Sequence, residues 1–256
     1  MTPELGRARA LLAGAQRLLV FTGAGVSAES GVPTFRGAGG MWNARRAEDL
    51  ATPEAFARDP RLVWEWYAWR RGLVARCEPN AAHDAIARHA RAHAGTTVVT
   101  QNVDGLHQRA AVAAGDPRGA ASVVALHGTL FGVRCERWPA CPTRLPHDGP
   151  IDASDHATLP RCDACGALLR PDVVWFGEAL DAADLEAAFG AAQRADACLV
   201  VGTSALVQPA ASVAATAARS GAPLVEVNAE DTPLSSLAAV ALRGRAAELV
   251  PALLAQ

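Results

Sequence analysis

Short apolar runs separated by amphipathic stretches set the pattern of this chain. Runs of four or five mostly apolar residues recur at 18–21, 97–100, 123–126, 197–201 and 223–227. Continuous apolar runs of this length are typical of parallel strands that are buried on both faces. Helical patterns lie between several of the runs. The alternation therefore predicts an α/β fold with a Rossmann-like, doubly wound parallel sheet.

Two stretches interrupt this alternation. Residues 38–93 hold helical segments rich in Trp, Arg and Ala, and residues 133–171 hold four of the six cysteines. We expect a single domain over 1–256, with a Rossmann-like lobe at about 1–37, 94–132 and 172–256. The helical insertion (38–93) and the cysteine-rich segment (133–171) would form a smaller lobe, in which 142–160 is an exposed loop. A groove between two lobes is the expected ligand site.

A glycine-rich turn follows the first apolar run. Gly23, Gly25 and Ala28 stand at G-x-G-x-x-A spacing, which brings backbone N–H groups close to a dinucleotide phosphate. A dehydrogenase fingerprint continues into a long helix, whereas Pro33 and Gly37 break this chain soon afterwards. The segment therefore predicts a loop that returns over the cofactor, and it argues against hydride transfer.

Composition excludes several classes of protein. The 256 residues carry a net charge of −2 and no long basic run, so a nucleic-acid-binding surface is not expected. All 24 basic residues are arginine, for which genome composition is the simpler explanation, and the chain has no lysine of its own to be modified. The absence of a signal peptide or membrane span predicts a cytoplasmic protein. In that compartment six cysteines indicate metal binding or free thiols more than disulfides.

The cysteine spacing predicts a structural metal site. Cys162 and Cys165 form a C-x-x-C pair that presents two thiolates on one tight turn. Cys135 and Cys141 would complete a tetrahedron, although their spacing is wider than usual and His147 is an alternative ligand. Four thiolates leave no open position for catalysis, so we predict one structural Zn²⁺ per chain. Four free thiols are the alternative.

Polar residues follow two of the predicted strands. Gln101, Asn102 and Asp104 come directly after the run 97–100, and His127 comes after the run 123–126. Side chains at the carboxyl ends of parallel strands point into the crevice where ligands bind. A histidine there can act as a general base near neutral pH. Asn and Asp before a glycine are also common turn formers, and a lone histidine is more often structural, so the residues alone leave both interpretations open.

Together these motifs resemble the sirtuin family of NAD-dependent protein lysine deacylases. The resemblance covers nearly the whole chain, in family order: GAGVSAESGVPTFRG (23–37), TQNVDGLH (100–107), HG (127–128), CDACG (162–166), RPDVVWFGE (170–178), VGTSALVQPA (201–210) and VEVNAE (225–230). It implies a sirtuin-type catalytic domain that consumes NAD as a co-substrate and releases nicotinamide and 2′-O-acyl-ADP-ribose. The implied partners are acylated lysine side chains of proteins, and the implied state is a monomer.

The resemblance also assigns roles to individual residues. His127 is the implied general base on a ribose hydroxyl, Asn102 orients the ribose and a water, and Asp104 holds the nicotinamide carboxamide. Phe35 would shield the reacting face, and Arg36 would order the loop near phosphate. The implied cofactor-binding residues are Gly23, Ala24, Gly25, Ala28, Glu29, Pro33, Thr34, Phe35, Arg36, Trp42, Gln101, Asn102, Asp104, Gly202, Thr203, Ser204, Asn228, Glu230 and Ala246. The implied peptide-binding residues, which would add a strand to the substrate main chain, are Val174, Trp175, Phe176 and Gly177.

A tryptophan-rich segment bears on which acyl group is removed. Tyr67 and Arg70 are three residues apart and so share one face of a helix, and a guanidinium beside a phenol suits a carboxylate. From the residues alone, a core helix with a solvated Arg70 is the alternative. Tyr67-x-x-Arg70, together with Ala51, matches the sirtuins that remove succinyl, malonyl and glutaryl groups, and the resemblance implies these activities with some deacetylation. Other possibilities are an enzyme that is mainly a deacetylase, a protein mono-ADP-ribosyltransferase, and a catalytically silent NAD-binding module.

Overall fold

Strands alternate with helices along most of the chain. The computed structural model describes residues 2–33, 41–42 and 45–255. Within these residues the strands are β1 (Leu18–Thr22), β2 (Met41–Trp42), β3 (Arg45–Arg46), β4 (Thr97–Thr100), β5 (Val123–Ala125), β6 (Gly128–Cys135), β7 (Arg144–Pro146), β8 (Leu169–Val173), β9 (Ala197–Val201), β10 (Leu224–Asn228) and β11 (Val240–Arg243). The helices are α1 (Pro3–Ala13), α2 (Ala47–Leu50), α3 (Pro53–Arg58), α4 (Pro60–Val74), α5 (Ala81–Ala92), α6 (Leu106–Ala113), α7 (Ala182–Arg194), α8 (Ser212–Arg219) and α9 (Ala246–Leu254).

A parallel sheet, here called the large sheet, has the strand order β11-β10-β9-β1-β4-β5. The chain leaves β1 for β4 and β5 on one side, and later builds β9, β10 and β11 on the other. This is the doubly wound arrangement that the apolar runs predict. Every residue of β1 and β9 is buried, as expected for strands that are covered by helices on both faces.

Two apolar clusters cover the faces of the large sheet. Helices α1, α5 and α9 pack against the face that contains Val20 and Val98, and α7 and α8 pack against the face that contains Leu19 and Val99. From the sequence, α5 was predicted to belong to the smaller lobe (38–93). In the structure its buried side belongs to the first cluster, since apolar residues recur along it at Ala82, Ile86 and Ala90. The small-lobe part of this insertion therefore ends before α5.

A second sheet carries the cysteines. Strands β7, β6 and β8 form this antiparallel cysteine sheet, and it packs against α3 and α4 in a third apolar cluster. Trp64 of α4 donates its indole N–H to the carbonyl oxygen of Leu169 at 2.9 Å. Arg71 of the same helix donates to the carbonyl oxygens of His147 and Gly149. Most of residues 142–160 are exposed, as predicted, although they include β7 and a short 3₁₀ helix.

The two sheets are joined next to His127. Strand β5 ends two residues before it, and β6 begins at Gly128, which pairs with Val173 of β8. Gly128 has a φ of +78°, and a Cβ there would lie 2.1 Å from the carbonyl oxygen of Asp172, so only glycine fits. The carbonyl oxygen of His127 accepts the N–H of Val174 at 2.9 Å. His127 therefore lies at the junction of the large sheet and the cysteine sheet.

Among the described helices, none combines the length and the hydropathy that a membrane span requires.

Candidate active site

The carboxyl ends of β1, β4, β9 and β10 meet at one edge of the large sheet. Gln101, directly after β4, donates from Nε2 to Oγ1 of Thr203 at 2.8 Å. Asn228, at the end of β10, donates from Nδ2 to the carbonyl oxygen of Thr203 at 2.9 Å. These bonds join strand ends on both sides of β1, where a doubly wound sheet reverses its strand order and binds ligands.

Glycines allow two loops at this edge to touch through their backbones. Gly25 donates its N–H to the carbonyl oxygen of Gly202 at 2.7 Å, and Gly23 donates to the carbonyl oxygen of Val201 at 3.0 Å. A Cβ on Gly25 would lie 2.7 Å from Cα of Gly202, which itself has a φ of +61°. Close packing of the two loops is therefore one reason for these glycines. The backbone donors of Gly23 and Gly25, which the fingerprint predicts to face phosphate, already have acceptors within the protein.

The glycine-rich turn leads into a short helix and not into a long crossover helix. A 3₁₀ helix over Ala24–Ser30 ends at Gly31, whose φ of 84° lies in the left-handed region. This agrees with the break that the sequence predicts here. Pro33 is the last described residue before residue 41. Three further predicted cofactor residues of this loop lie outside the described residues: Thr34, Phe35 and Arg36. Trp42 lies in β2, but its side chain is not among those described.

Glu29 binds the start of α9. Its Oε2 accepts the backbone N–H of Ala247 at 2.7 Å, and its Oε1 lies 2.7 Å from Nε of Arg245. A carboxylate in this position satisfies a free helix N–H and interacts favourably with the helix dipole. The carboxylate that was predicted to bind cofactor is thus engaged with a helix terminus. The other predicted cofactor residues around this edge are Ala24, Ala28, Ser204 and Glu230, which are at least partly exposed, and Ala246, which is buried.

Asn102 and Asp104 share one hydroxyl group. Asn102 donates from Nδ2 to Oγ of Ser27 at 3.1 Å, and Ser27 donates from Oγ to Oδ2 of Asp104 at 2.7 Å. The other carboxylate oxygen of Asp104 accepts the backbone N–H of Leu106 at 2.9 Å. Burial raises the pKa of Asp104, while the bonds from Leu106 and Ser27 and the charge of Arg70 oppose that rise. Both predicted catalytic side chains are therefore held in one orientation.

Two buried histidines lie behind this pair. Nδ1 of His83 accepts the backbone N–H of Asn80 at 3.2 Å, so Nε2 carries the hydrogen of the neutral ring and donates to Oγ of Ser27 at 3.2 Å. Burial lowers the pKa of His83 to about 4, and it also lowers the pKa of His107. The two ring centres are 4.7 Å apart. Nε2 of His107 lies 2.9 Å from Oγ1 of Thr22, so the network extends into the large sheet.

His127 has the hydrogen bonding of a neutral base. Its Nδ1 lies 2.8 Å from the carbonyl oxygen of Gln101. Because a carbonyl oxygen only accepts, Nδ1 donates and Nε2 of the neutral ring keeps its lone pair. Burial lowers the pKa of His127, although the bond to Gln101 opposes this. The imidazole is therefore neutral at physiological pH, and Nε2 is its basic atom.

Tyr67 and Arg70 lie one turn apart on α4. Tyr67 is 2% exposed, and burial raises the pKa of its hydroxyl to about 12. Arg70 is half-buried, with its guanidinium carbon 5.0 Å from the centre of the Trp66 ring. Burial lowers the pKa of Arg70, whereas Tyr67 and Asp104 act electrostatically to raise it. Arg70 of the predicted acyl pocket is thus within electrostatic reach of Asp104, a predicted catalytic carboxylate, and Tyr67 interacts with Arg70.

Residues 174–177, which the sequence predicts to bind peptide and which are here called the substrate segment, follow β8. The N–H of Val174 donates to His127, and the N–H of Phe176 donates to the carbonyl oxygen of Ala51 at 2.9 Å. Phe176 is 47% exposed, so the outer side of the segment is open to solvent. The substrate segment therefore connects the predicted base with the small residue of the predicted acyl pocket.

Four thiols converge in the cysteine sheet. Their sulfur atoms all lie within 4.8 Å of one another, with two pairs at 3.5 and 3.6 Å. Tetrahedral zinc with Zn–S bonds of about 2.3 Å requires sulfur atoms about 3.8 Å apart, so the set fits one ion. His147, the alternative ligand, lies 3.1 Å from Arg71 and is not in the cluster. The residues that would hold zinc are Cys135, Cys141, Cys162 and Cys165.

The residues that support Asn102 and Asp104, above all Ser27 and His83, were not predicted from the sequence. Ser27 lies inside the glycine-rich motif, where side-chain roles were predicted for Phe35 and Arg36 but none for the serine hydroxyl. His83 interrupts the apolar side of α5 between Ala82 and Ile86. A polar side chain on an apolar face requires a buried partner, and that signal was available from the sequence.

Family and sequence comparisons agree with one another. The model of the Sir2 family matches residues 23–209. A curated relative from Thermococcus kodakarensis, named NAD-dependent protein deacylase, is 49% identical over 253 residues, covering 98% of this chain and 94% of the relative. A relative of the same name from Aquifex aeolicus is 45% identical over 222 residues, covering 86% and 87%.

Solved structures are similar over almost the entire chain. A structure described as a Sir2 homolog–NAD complex has a TM-score of 0.87 and 44% identity, covering 97% of this chain and 92% of that one. A Sir2 structure with a deacetylated p53 peptide and 3′-O-acetyl ADP ribose has a TM-score of 0.83 and 30% identity, covering 97% and 96%.

Proposed function

The chain belongs to the Sir2 family and is an NAD-dependent protein deacylase, and we propose that it removes lysine acyl groups with a distal carboxylate, namely succinyl, malonyl and glutaryl groups. The observation that carries this proposal is the position of Tyr67 and Arg70. Tyr67 is hydrogen-bonded to Trp175 of the substrate segment, and Arg70, one turn further along α4, interacts electrostatically with Asp104. An acyl group held by its lysine between these elements would present its far end to a phenol and a guanidinium.

The reaction steps are assigned to residues of the large sheet edge. NAD is the co-substrate: the acyl oxygen would bond to its ribose carbon as the bond from that carbon to nicotinamide breaks and nicotinamide leaves. His127 takes a proton from a ribose hydroxyl at Nε2, because its Nδ1 is already occupied by Gln101. Asn102 and Asp104, oriented by Ser27, hold the ribose and the nicotinamide carboxamide. This division of roles is part of the proposal.

The peptide would bind the substrate segment through a limited set of backbone groups. The N–H groups of Val174, Trp175 and Phe176 all have acceptors within the protein. The substrate main chain would therefore bond to carbonyl oxygens of the segment and to the N–H of Gly177. Binding through main-chain groups is compatible with many target sequences.

The acyl preference would come from charge and hydrogen bonding together. A guanidinium and a carboxylate form charge-assisted bonds, each of which contributes about 1.5–3 kcal/mol. Arg70 is half-buried beside Trp66, so its charge is less screened than that of a surface arginine. An acetyl group offers no acceptor at this position and gains nothing from either side chain.

The test is a comparison of succinyl-, glutaryl- and acetyl-lysine versions of one peptide with the wild type and Arg70→Met. We expect the ratio of succinyl to acetyl kcat/KM to fall about tenfold to a hundredfold in the variant, since one charge-assisted interaction is lost. Arg61→Met is the matched control, because Arg61 lies on the same helix and pairs with Glu65 at the surface. An unchanged ratio in Arg70→Met, or a wild type that prefers acetyl, would overturn the proposed preference.

A further inference from the structure

The hydroxyl of Tyr67 receives a hydrogen bond from an indole. Nε1 of Trp175 donates to it at 2.9 Å, and the two side chains are 3% and 2% exposed. Because an indole N–H can only donate, the phenolic oxygen is the acceptor in this bond. The hydrogen of the phenol is therefore directed elsewhere, and within the described residues no hydrogen bond is formed by it.

The indole of Trp175 is itself fixed from three directions. The guanidinium carbon of Arg170 lies 3.3 Å from the centre of the indole ring. The ring of Phe56 packs at 5.4 Å between centroids. The backbone N–H of Trp175 donates to Oε2 of Glu178 at 2.8 Å. The indole therefore has little freedom to turn its N–H away from Tyr67.

Charged side chains on both sides of the substrate segment are bonded to one another. Glu178 accepts from both Arg170 and Arg134, the latter at 2.9 Å. Both arginines also donate to the carbonyl oxygen of Val173 at 2.8 Å. These bonds connect Val173, at the end of β8, with Glu178, the residue that follows the substrate segment. The stacked guanidinium also places a positive charge over the indole, which makes its N–H a stronger donor.

We propose that Trp175 is a specificity-determining positioning residue, which holds Tyr67 as a hydrogen-bond donor toward the carboxylate of the acyl group. This inference rests on the proposed preference for acidic acyl groups. A carboxylate only accepts hydrogen bonds. It is therefore bound by a phenol whose O–H points toward it, and not by one that presents its oxygen lone pairs. A phenol whose oxygen already accepts a bond is also a better donor. The side chain of Trp175 thus acts through Tyr67, apart from the backbone role of its segment.

The kinetic test replaces the indole with a ring that has no donor. In Trp175→Phe we expect the ratio of succinyl to acetyl kcat/KM to fall about threefold to tenfold, mainly through KM for the succinyl peptide. Trp64→Phe is the matched control, because it also removes a buried indole N–H, but one that binds the carbonyl oxygen of Leu169. Both variants are compared at equal folded fraction by thermal unfolding. A drop of the same size in Trp64→Phe would overturn the inference.

A spectroscopic test is possible because Tyr67 is the single tyrosine of the chain. The tyrosine doublet in Raman spectra reports whether a phenol donates or accepts hydrogen bonds, and here it reports on Tyr67 alone. We expect an acceptor signature in the wild type that is lost in Trp175→Phe and retained in Trp64→Phe. Adding a succinyl-lysine peptide with ADP-ribose should add donor character in the wild type, and the acetyl-lysine peptide should not.

The outcomes separate this inference from the proposed function. If Arg70→Met abolishes the succinyl preference while Trp175→Phe leaves both the ratio and the Raman doublet unchanged, the positioning role is wrong and the proposed function stands. If the wild type shows no succinyl preference, the proposed function is wrong, and the specificity role of Trp175 falls with it. A lowered ratio together with the loss of the acceptor signature supports both.

Discussion

At the scale of single residues, the site depends on which atom of each polar group is already occupied. Gln101 fixes the hydrogen of His127 on Nδ1, and Ser27 accepts from Asn102 while it donates to Asp104. The bond to Gln101 leaves Nε2 of His127 as its basic atom, and the bonds of Ser27 fix the orientation of Asn102 and Asp104. The chemistry of the site thus follows from hydrogen-bond direction as much as from residue type.

The state of His127 predicts a pH profile. Its folded pKa is lowered below the ordinary value of 6.5 by burial, and a general base must be neutral to act. We therefore expect kcat/KM for deacylation to be level near neutral pH and to fall only as the pH drops below 6.5. The measurement is a pH–rate profile with an acylated peptide at saturating NAD.

His127→Ala supplies the control for that profile. If the base acts after nicotinamide leaves, the variant loses deacylation but still releases nicotinamide from NAD in the presence of the acyl peptide. A deacylation rate that begins to fall well above pH 6.5 would contradict the assignment of a depressed pKa to the base. So would a His127→Ala enzyme that keeps the wild-type deacylation rate.

At the scale of elements, Glu29 connects the glycine-rich loop to the N-terminus of α9 through a hydrogen bond and an ion pair. We expect Glu29→Ala to lower the free energy of unfolding by about 1 kcal/mol, because a helix N-terminal N–H loses its acceptor and Arg245 loses its partner. Urea unfolding followed by circular dichroism measures the change. Glu248→Ala is the control, since Glu248 meets Arg245 only at an exposed position, where ion pairs contribute little.

The same variant decides between two roles for this carboxylate. If Glu29 chiefly binds cofactor, as the resemblance implies, Glu29→Ala would raise KM for NAD many-fold and leave the unfolding free energy unchanged. If it chiefly caps α9, the loss of stability appears even without NAD.

Elements of the large sheet were predictable where burial is two-sided. Strands β1 and β9 are almost entirely apolar and β4 has two valines between threonines, and the positions of all three were predicted to within one residue. Strand β11 was not predicted, because it lies at an edge and alternates buried Val240 and Leu242 with exposed neighbours. In an alanine-rich stretch such a short alternation is hard to tell from a helix.

Site residues that directly follow a predicted strand were predictable, whereas contacts between residues far apart in the sequence were not. Asn102 and His127 directly follow apolar runs, so their meeting at one sheet edge could be expected. The contact of Ser27 with His83 depends on how α5 packs against the glycine-rich loop, which no local pattern encodes. The bond from Trp175 to Tyr67 spans 108 positions and depends in the same way on tertiary packing.

At the scale of the whole molecule, zinc is expected to support catalysis from a distance. Cys135 ends β6, the strand that begins beside His127, so loss of the ion would loosen the sheet next to the base. We expect one Zn²⁺ per chain, and we expect its removal by a chelator to lower both the melting temperature and kcat/KM. Metal content, thermal unfolding and activity are measured on the same sample.

Two cysteine variants make this test specific. Cys162→Ser removes one of the four clustered thiols and should lose the metal, whereas Cys77→Ser, outside the cluster, should keep it. A preparation that is stripped of metal yet retains its full melting temperature and kcat/KM would show that the ion has no structural role. The monomeric state and the cytoplasmic location stay predictions.

The pairing of Gly128 with Val173 has a consequence for how such molecules can diverge. The chain enters the cysteine sheet at one residue and leaves it at the neighbouring one, and segments with adjacent ends are exchanged or inserted readily. Residues 129–172 therefore form a cassette that a chimera of two relatives could replace whole. The incoming cassette must keep the carbonyl that binds Trp64 and the arginines that bind Glu178. The sequence of the cysteine sheet and the sequence of the large sheet can in this sense diverge separately.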